Sequence, residues 1–390
     1  MLSKNIKFKN FLGKKKNLKI YKVFNELKKN YLNDKIKELS SLNKNYQYNY
    51  SKSLINKYKN FKNFKIVGMG GSILGAKAIY KFLNYKIKKN FLFIDNLESN
   101  LKTKKNKKFV NIIISKSGNT LETISNSNLL IQNNKKNIFI TEKKNNYLNI
   151  LANSIKAEVV EHKNYIGGRY SVLSEVGMLP AELMGLNEQK FKRLNYLIKN
   201  KIFTNNLISN VSSTLNLLKK NKYLSVILNY DRNSEDLIYW YQQLIAESLG
   251  KKSKGILPLV SRMPKDNHSL MQFYLDGPKK SFYTFFSIFD QNSNKINNNY
   301  LLKSHNFLKN KNLNKIINSQ ILATQNVFKN KKIPFRSFQL LKRNEETLGE
   351  IFCFFILETI LLGRALKVNP FDQPSVELIK KETKKILIGN

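Results

Sequence analysis

The sequence predicts an α/β protein made of two doubly wound parallel sheets, closed by a helix at its C-terminal end. Three observations point there. Short β-branched or aromatic runs alternate with helical text along the chain. Two of those runs end in loops of glycine and hydroxyl residues, Gly68-Met69-Gly70-Gly71-Ser72 and Ser115-Lys116-Ser117-Gly118-Asn119-Thr120. A polar stretch at 187–200 separates the first alternation from a second of the same kind. The division this implies is a helical segment at 1–45, a first subdomain at 46–186, a second at 187–370, and a terminal turn and helix at 371–390.

Residues 1–45 are lysine-rich and predict one or two short helices, with Val23, Phe24, Leu27, Tyr31 and Leu32 near helical spacing. A basic arm is the alternative reading. Phe64-Lys65-Ile66-Val67 is the first strand, and 73–83 a helix with Leu74, Ala78, Ile79 and Phe82 as its buried stripe. Between them, Ser72 is placed to cap the helix or to touch a ligand, and Gly71 lets the backbone approach one closely. Further strands fall at 91–95, 112–115 and 137–141.

Ligands of such sheets bind outside the carboxyl ends of the strands, where the strand order reverses. Both hydroxyl-rich loops sit at such ends. The loop at 115–120 follows Ile112-Ile113-Ile114 and precedes Leu121-Glu122-Thr123-Ile124-Ser125, a helix opening. Small hydroxyls and backbone N–H groups at the positive end of a helix dipole suit a phosphate group. The G-x-x-x-x-G-K-[ST] pattern is missing, so a small phosphate ester fits better than a nucleotide. An ordinary βα turn capped by Ser or Thr reads the same way. In Ile166-Gly167-Gly168-Arg169-Tyr170-Ser171, two glycines precede one arginine. A guanidinium so held is a planar, permanently charged fork for a phosphate or an oxyanion. A surface arginine after a turn is the plainer alternative.

The second alternation predicts a helix at 205–219, a strand at 223–230, and a helix capped by Asn233 or Ser234 that runs to 249. Strands follow at 281–289 and 335–340, with an asparagine-rich loop at 291–300. A long apolar helix is expected at 344–362, a turn at 371–374 and a last helix at 375–386.

Composition narrows the class. At 390 residues and 42% hydrophobic content the chain can build a real core. A single cysteine, Cys353, excludes an intrachain disulfide, and three histidines (His162, His268, His305) argue against a zinc cluster. No signal peptide is read in the lysine- and asparagine-rich opening, and the most apolar run, 351–362, is too short for a bilayer and carries Glu358. A soluble cytoplasmic protein, without membrane contact, is expected. The net charge of +43 would ordinarily point to nucleic acid. Here the excess is lysine, dispersed and mixed with asparagine and isoleucine, as an AT-biased genome would produce. No nucleic-acid partner is expected, though a positive field helps draw in a small dianion.

Taken together, these stretches resemble a known family. The two loops resemble the sugar-phosphate loops of the sugar isomerase (SIS) fold. Gly167-Gly168-Arg169-Tyr170-Ser171 resembles the glycine-glycine-arginine signature of the phosphoglucose isomerase family. Phe371-Asp372-Gln373-Pro374-Ser375-Val376-Glu377-Leu378-Ile379-Lys380 is similar to that family's C-terminal signature, F-D-Q-x-G-V-E-x-x-K. Between them, the segment from Gln243 to Lys251 resembles the one that carries the catalytic glutamate, and His268-Ser269-Leu270-Met271-Gln272 the one that carries the histidine. The resemblance runs in family order from about residue 65 to 380. It implies two doubly wound parallel-sheet SIS subdomains in an αβα sandwich with a C-terminal helix.

The resemblance implies isomerisation of glucose 6-phosphate and fructose 6-phosphate through a cis-enediol, in glycolysis and gluconeogenesis, with no cofactor and no metal. Glu247 would be the base that moves a proton between C2 and C1, a task suited to a carboxylate tuned by its site. His268 and Lys380 would open the sugar ring, and Arg169 would stabilise the anionic intermediate. The substrate would be bound by Gly71, Ser72, Ser115, Lys116 (mostly through its backbone N–H), Ser117, Thr120, Gln243 and Gln373. Glu122 would orient Lys380. The family's histidine comes from the partner subunit, so a homodimer is implied with His268 crossing the interface. Ser375 departs from the signature glycine, Asn119 from a commoner threonine, and Asn267 from a common leucine. The alternatives are a bifunctional phosphoglucose/phosphomannose isomerase and a non-catalytic sugar-phosphate sensor.

Overall fold

Strands form where the sequence gathers β-branched and aromatic residues, and helices where apolar residues recur every three to four. The computed structural model describes residues 1–11, 17–99, 109–131, 136–289 and 293–389. In chain order the first elements are β1 (Ile6–Lys9), α1 (Leu18–Leu32), α2 (Lys52–Tyr58), β2 (Asn63–Gly68), α3 (Leu74–Phe82), β3 (Asn90–Ile94), β4 (Val110–Ile114) and α4 (Leu121–Ile131). Next are β5 (Asn137–Thr141), α5 (Tyr147–Ser154), β6 (Glu158–Glu161), α6 (Glu175–Leu183), α7 (Leu194–Leu197) and α8 (Lys201–Lys219). The chain continues through β7 (Leu224–Asn229), α9 (Glu235–Leu249), β8 (Leu257–Arg262), α10 (Met271–Asp276) and β9 (Ser281–Ile288). It ends with α11 (Leu313–Asn330), β10 (Phe335–Leu340), α12 (Glu345–Leu366) and α13 (Val376–Ile388).

The first sheet has the order β3-β2-β4-β5-β6, all neighbours parallel. Alternate side chains of a strand point to opposite faces. Ile112 and Ile114 therefore enter the large central core, while Ile113 joins Val67 and Phe139 in a second cluster with Leu130 of α4 and Leu148 of α5. Both faces are covered by helices, as a doubly wound sheet requires. The strand order reverses between β2 and β4, and the two glycine- and hydroxyl-rich loops follow those two strands.

The second sheet has the order β1-β10-β9-β7-β8. Four of its strands are parallel, and β1 pairs antiparallel with β10. Ile227, Phe286 and Phe338 face the central core. Val226, Leu228 and Phe285 face an outer cluster with Tyr274 of α10 and Ile321 and Phe328 of α11. The helix α9 lies between the halves, packed on β8, α12 and, across the sheets, α3.

The differences from the sequence reading lie at edges and ends, and at α11, which the sequence reading left unassigned. The segment expected to be helical opens instead with β1, where Ile6 and Phe8 alternate with Lys7 and Lys9 along the edge of the second sheet. Of that segment, 12–16 lies outside the described residues, as do Gln291 and Asn292 of the expected loop and Asn390. The edge strands β6 and β8 escaped notice because one is four residues long and the other contains Pro258, which an edge strand tolerates. The polar stretch at 187–200 is not an open linker, since Phe191, Leu194, Leu197 and Ile198 are fully buried. Ser234 stands at the N-cap of α9 but does not cap it; its hydroxyl donates to Asp231 instead. Asn344 does cap α12, accepting from the Thr347 N–H at 2.9 Å. No helix of the described residues is long and apolar enough to cross a membrane.

One buried charge pair locks the second half. Arg336 of β10 and Glu358 of α12 are each 1% exposed. Around their ion pair, Arg336 also donates to Thr284 Oγ1, Asn210 Oδ1 and Tyr241 Oη, and the carboxylate accepts from Asn210 and Tyr241. Tyr241 belongs to α9, so the network fixes that helix against the second sheet. Removing one partner strands the other charge in the core. Arg336→Met is expected to cost about 3–5 kcal/mol of stability, read as a fall in the urea midpoint. Adding Glu358→Gln should recover part of that loss.

Candidate active site

The site is assembled at the carboxyl ends of β2 and β4. After β2 the chain makes a tight 3₁₀ turn at Gly70–Ser72 before α3. A Cβ on Gly71 would lie 2.2 Å from the carbonyl carbon of Gly168 and 2.5 Å from Arg169 N, so glycine is what lets this loop press on the glycine-glycine-arginine loop. A Cβ on Gly70 would meet Gln243 Nε2 at 2.7 Å, so the same loop also abuts α9. Ser72 caps nothing, because Ile73 holds the N-cap position of α3.

After β4 the second loop turns on Gly118, whose φ of +69° lies in the left-handed region. Ser115 Oγ and Thr120 Oγ1 are 2.9 Å apart across its mouth. Among the described residues, the backbone N–H groups of Lys116, Ser117 and Thr120 have no protein acceptor. With the N-terminus of α4 behind them, these donors have the arrangement that suits an anion. The Lys116 ammonium turns away toward Glu142, 3.7 Å off, and burial lowers its pKa.

Arg169 is 2% exposed and is the centre of the hydrogen bonding. Nη1 donates to Glu247 Oε1 at 2.9 Å and to Gln373 Oε1 at 2.6 Å. Nη2 donates to the carbonyls of Pro370 at 2.7 Å and Asp372 at 2.9 Å, and Nε to Ser248 Oγ at 2.8 Å. The other oxygen of Glu247 accepts from Gln243 Nε2 at 2.9 Å. Both carboxylate oxygens are thereby oriented, and the side chain keeps 21% exposure toward solvent.

The structure brings Arg169, Glu247, Gln243 and Gln373 into one hydrogen-bonded group beside the Gly71–Ser72 loop, with the Ser115–Thr120 loop after the adjacent strand. Two expected residues stand outside the group. His268 follows β8 and is exposed, with no side-chain hydrogen bond among the described residues. Lys380 lies on α13, 57% exposed, with its ammonium on Glu377 at 2.7 Å rather than on Glu122. Helix α13 buries none of its own residues. Sequence reasoning missed Ser248 and Tyr170, which pack behind Arg169; only the three-dimensional contact reveals them.

Residues 30–389 match the phosphoglucose isomerase family model. The chain belongs to the phosphoglucose isomerase family. A glucose-6-phosphate isomerase of Mycoplasmopsis pulmonis is 35% identical over 231 residues, 57% of this chain and 54% of the relative. A probable glucose-6-phosphate isomerase of Methanococcus maripaludis is 31% identical over 243 residues, 61% of this chain and 54% of its own. The chain spans about half the length of the curated relatives it matches. A hypothetical protein of Thermus thermophilus shares the fold with a TM-score of 0.83 at 23% identity, covering 95% of this chain and 96% of the other. A glucose-6-phosphate isomerase of Chlamydia trachomatis does so at 0.71 and 18%, covering 86% and 71%.

Two outcomes are expected from this geometry. Gly71→Ala should destabilise the chain by about 1–3 kcal/mol through overpacking and weaken phosphate binding, both measurable by urea unfolding with and without inorganic phosphate. His162, which follows β6 and is 1% exposed, has an unpartnered Nε2, and burial pushes its pKa down to about 4. Between the unfolded value of 6.5 and about 4, the unfolded chain binds a proton that the folded one refuses. Stability attributable to His162 is therefore lost as pH falls through that window, by about 3 kcal/mol. His162→Asn should flatten the pH dependence of the unfolding free energy by that amount.

Proposed function

We propose that this family member interconverts D-glucose 6-phosphate and D-fructose 6-phosphate, as a homodimer in the cytoplasm, at the step shared by glycolysis and gluconeogenesis. One observation carries the reading. A carboxylate with both oxygens oriented, Glu247, stands beside a guanidinium and a loop pair suited to phosphate. That is what a proton transfer at the carbon next to a carbonyl needs: a base, a charge to stabilise the enediolate, and a handle to hold the substrate.

The phosphate is held by the backbone N–H groups and hydroxyls of Ser115, Lys116, Ser117 and Thr120, with Gly71 and Ser72 alongside. Glu247 takes the C2 proton of open-chain glucose 6-phosphate, and the carbonyl at C1 becomes the enediolate oxygen. The carboxyl is then neutral, so the Arg169 Nη1–H that it held can turn to the new oxyanion. A proton passes from the C2 hydroxyl to the C1 oxyanion, and returning the carbon-bound proton from Glu247 to C1 as the C2 carbonyl forms gives fructose 6-phosphate and restores the Arg169–Glu247 contact. Gln243 and Gln373 keep the carboxylate and guanidinium in register.

Ring opening is assigned to His268 and Lys380, which need the dimer. A 13-residue helix that buries none of its residues, α13, gains stability from packing. Its exposed Leu378, Ile379, Ile386 and Leu387 support a second chain as the surface that completes the site.

The test is conversion of fructose 6-phosphate to glucose 6-phosphate by the purified chain, with Glu247→Gln beside it and mannose 6-phosphate as a second substrate. The wild type should turn over, and the variant should lose about three orders of magnitude in kcat. Turnover that survives Glu247→Gln would remove Glu247 as the base. Bound sugar phosphate without turnover would favour a sensor, and turnover of mannose 6-phosphate would favour the bifunctional enzyme.

A further inference from the structure

Arg169 has no N–H to spare. Three of its five donors go to the segment 370–373 and two to the end of α9. The acceptor at Nε is Ser248 Oγ, on a fully buried side chain. Ser248 Oγ also lies 3.0 Å from Tyr170 Oη, and Tyr170 Oη donates its single proton to Pro370 O at 2.9 Å. The proton between the two hydroxyls is therefore the serine's. The directions are fixed: Arg169 Nε–H to Ser248 Oγ, Ser248 Oγ–H to Tyr170 Oη, and Tyr170 Oη–H to Pro370 O.

We propose that Ser248, backed by Tyr170, is a positioning residue that fixes the plane of the Arg169 guanidinium. The inference rests on the isomerase reading above, in which Nη1 passes from Glu247 to the oxyanion within one turnover. A guanidinium that must release one edge needs its other edges held. Nη2 is pinned by two carbonyls of the signature turn, and Nε by Ser248 alone. The relay then closes on itself, because Pro370 O accepts from both Arg169 Nη2 and Tyr170 Oη. It ties residues 169–170, 248 and 370–373 into one loop of hydrogen bonds. Neither hydroxyl touches the phosphate loop, so the relay bears on the chemical step and not on substrate capture.

The decisive experiment measures kcat and KM for fructose 6-phosphate in the wild type, Ser248→Ala and Tyr170→Phe. Hydrogen exchange of the peptide 366–373, read from Val368 onward, is followed in parallel, which needs no turnover. Two amides there have protection to lose, Val368 N–H on Gly363 O and Phe371 N–H on Asn369 Oδ1, each 3.0 Å. Ser248→Ala should lower kcat roughly tenfold or more with KM within about twofold, and speed exchange in that peptide alone. Tyr170→Phe, which leaves the Arg169–Ser248 bond in place, should do the same to a smaller degree. Unchanged kcat and exchange in Ser248→Ala would overturn the proposal. So would faster exchange along the whole chain with a lowered melting temperature, the mark of a folding defect. A wild type without turnover would sink the isomerase reading instead, and local exchange in the peptide would then decide the relay by itself.

Discussion

A guanidinium with 2% exposure constrains much of this structure. Taking such a charge out of water is tolerable only when its donors are filled. Filling those of Arg169 requires acceptors from two distant stretches, the C-terminal end of α9 and the turn at 370–373. The backbone ahead of Arg169 is also closely packed. The facing loop meets it through Gly71, where a single Cβ would collide with the backbone of Gly168 and Arg169. Helix α9 carries the consequence across the molecule, because its Tyr241 is tied into the Arg336–Glu358 pair of the second sheet. The candidate base is thus held from both halves of the fold at once.

Two candidate anion sites lie at the ends of neighbouring strands and differ in their donors. The loop after β4 offers neutral donors, namely backbone N–H groups, two facing hydroxyls and a helix N-terminus. Its lysine is turned to Glu142. Such a set of donors suits a phosphate whose charge does not change during reaction. The Arg169 site holds a full charge against a carboxylate, and suits a negative charge that appears and disappears. Separating the two lets binding and chemistry be tuned independently.

Much of this was legible in the sequence. Ile112-Ile113-Ile114 ends in hydroxyls, and the structure makes it a central strand followed by the candidate phosphate loop. Glu247, Gln243, Gln373 and the Gly71 loop, which the family resemblance had grouped, meet around Arg169. What escaped was set by long-range contact or masked by composition. Helix α11 keeps only Ile317, Ile321 and Phe328 as its stripe within lysine, asparagine and glutamine text. The strand β1 alternates correctly, but its polar positions are all lysine in a lysine-rich opening. Ser248 looks like any helix serine until Arg169 and Tyr170, nearly 80 residues away, are folded onto it. His268 and Lys380 were named by motif alone, and in the single chain neither joins the hydrogen-bonded group.

The use of basic residues follows the same physics. Of 69 basic residues only seven are arginine, yet Arg169, Arg336 and Arg343 are all buried. Each meets several acceptors spread in a plane, which a five-donor fork can satisfy and a compact ammonium cannot. Arg343 grips both oxygens of Asp231 in this way, at 3.2 and 2.9 Å. Lys192 is the instructive contrast. It too is buried, but its partners converge on a point: the carbonyls of Ser41 and Leu173, with the rings of Tyr46 and Tyr48 at 5.0 and 4.8 Å. The ammonium fits that cage, and burial still pulls its pKa down to about 7. These three arginines stand where geometry leaves no substitute, while Arg262 stays 57% exposed on Glu235. A lysine at 169 would reach Glu247 or the signature turn, but not hold both.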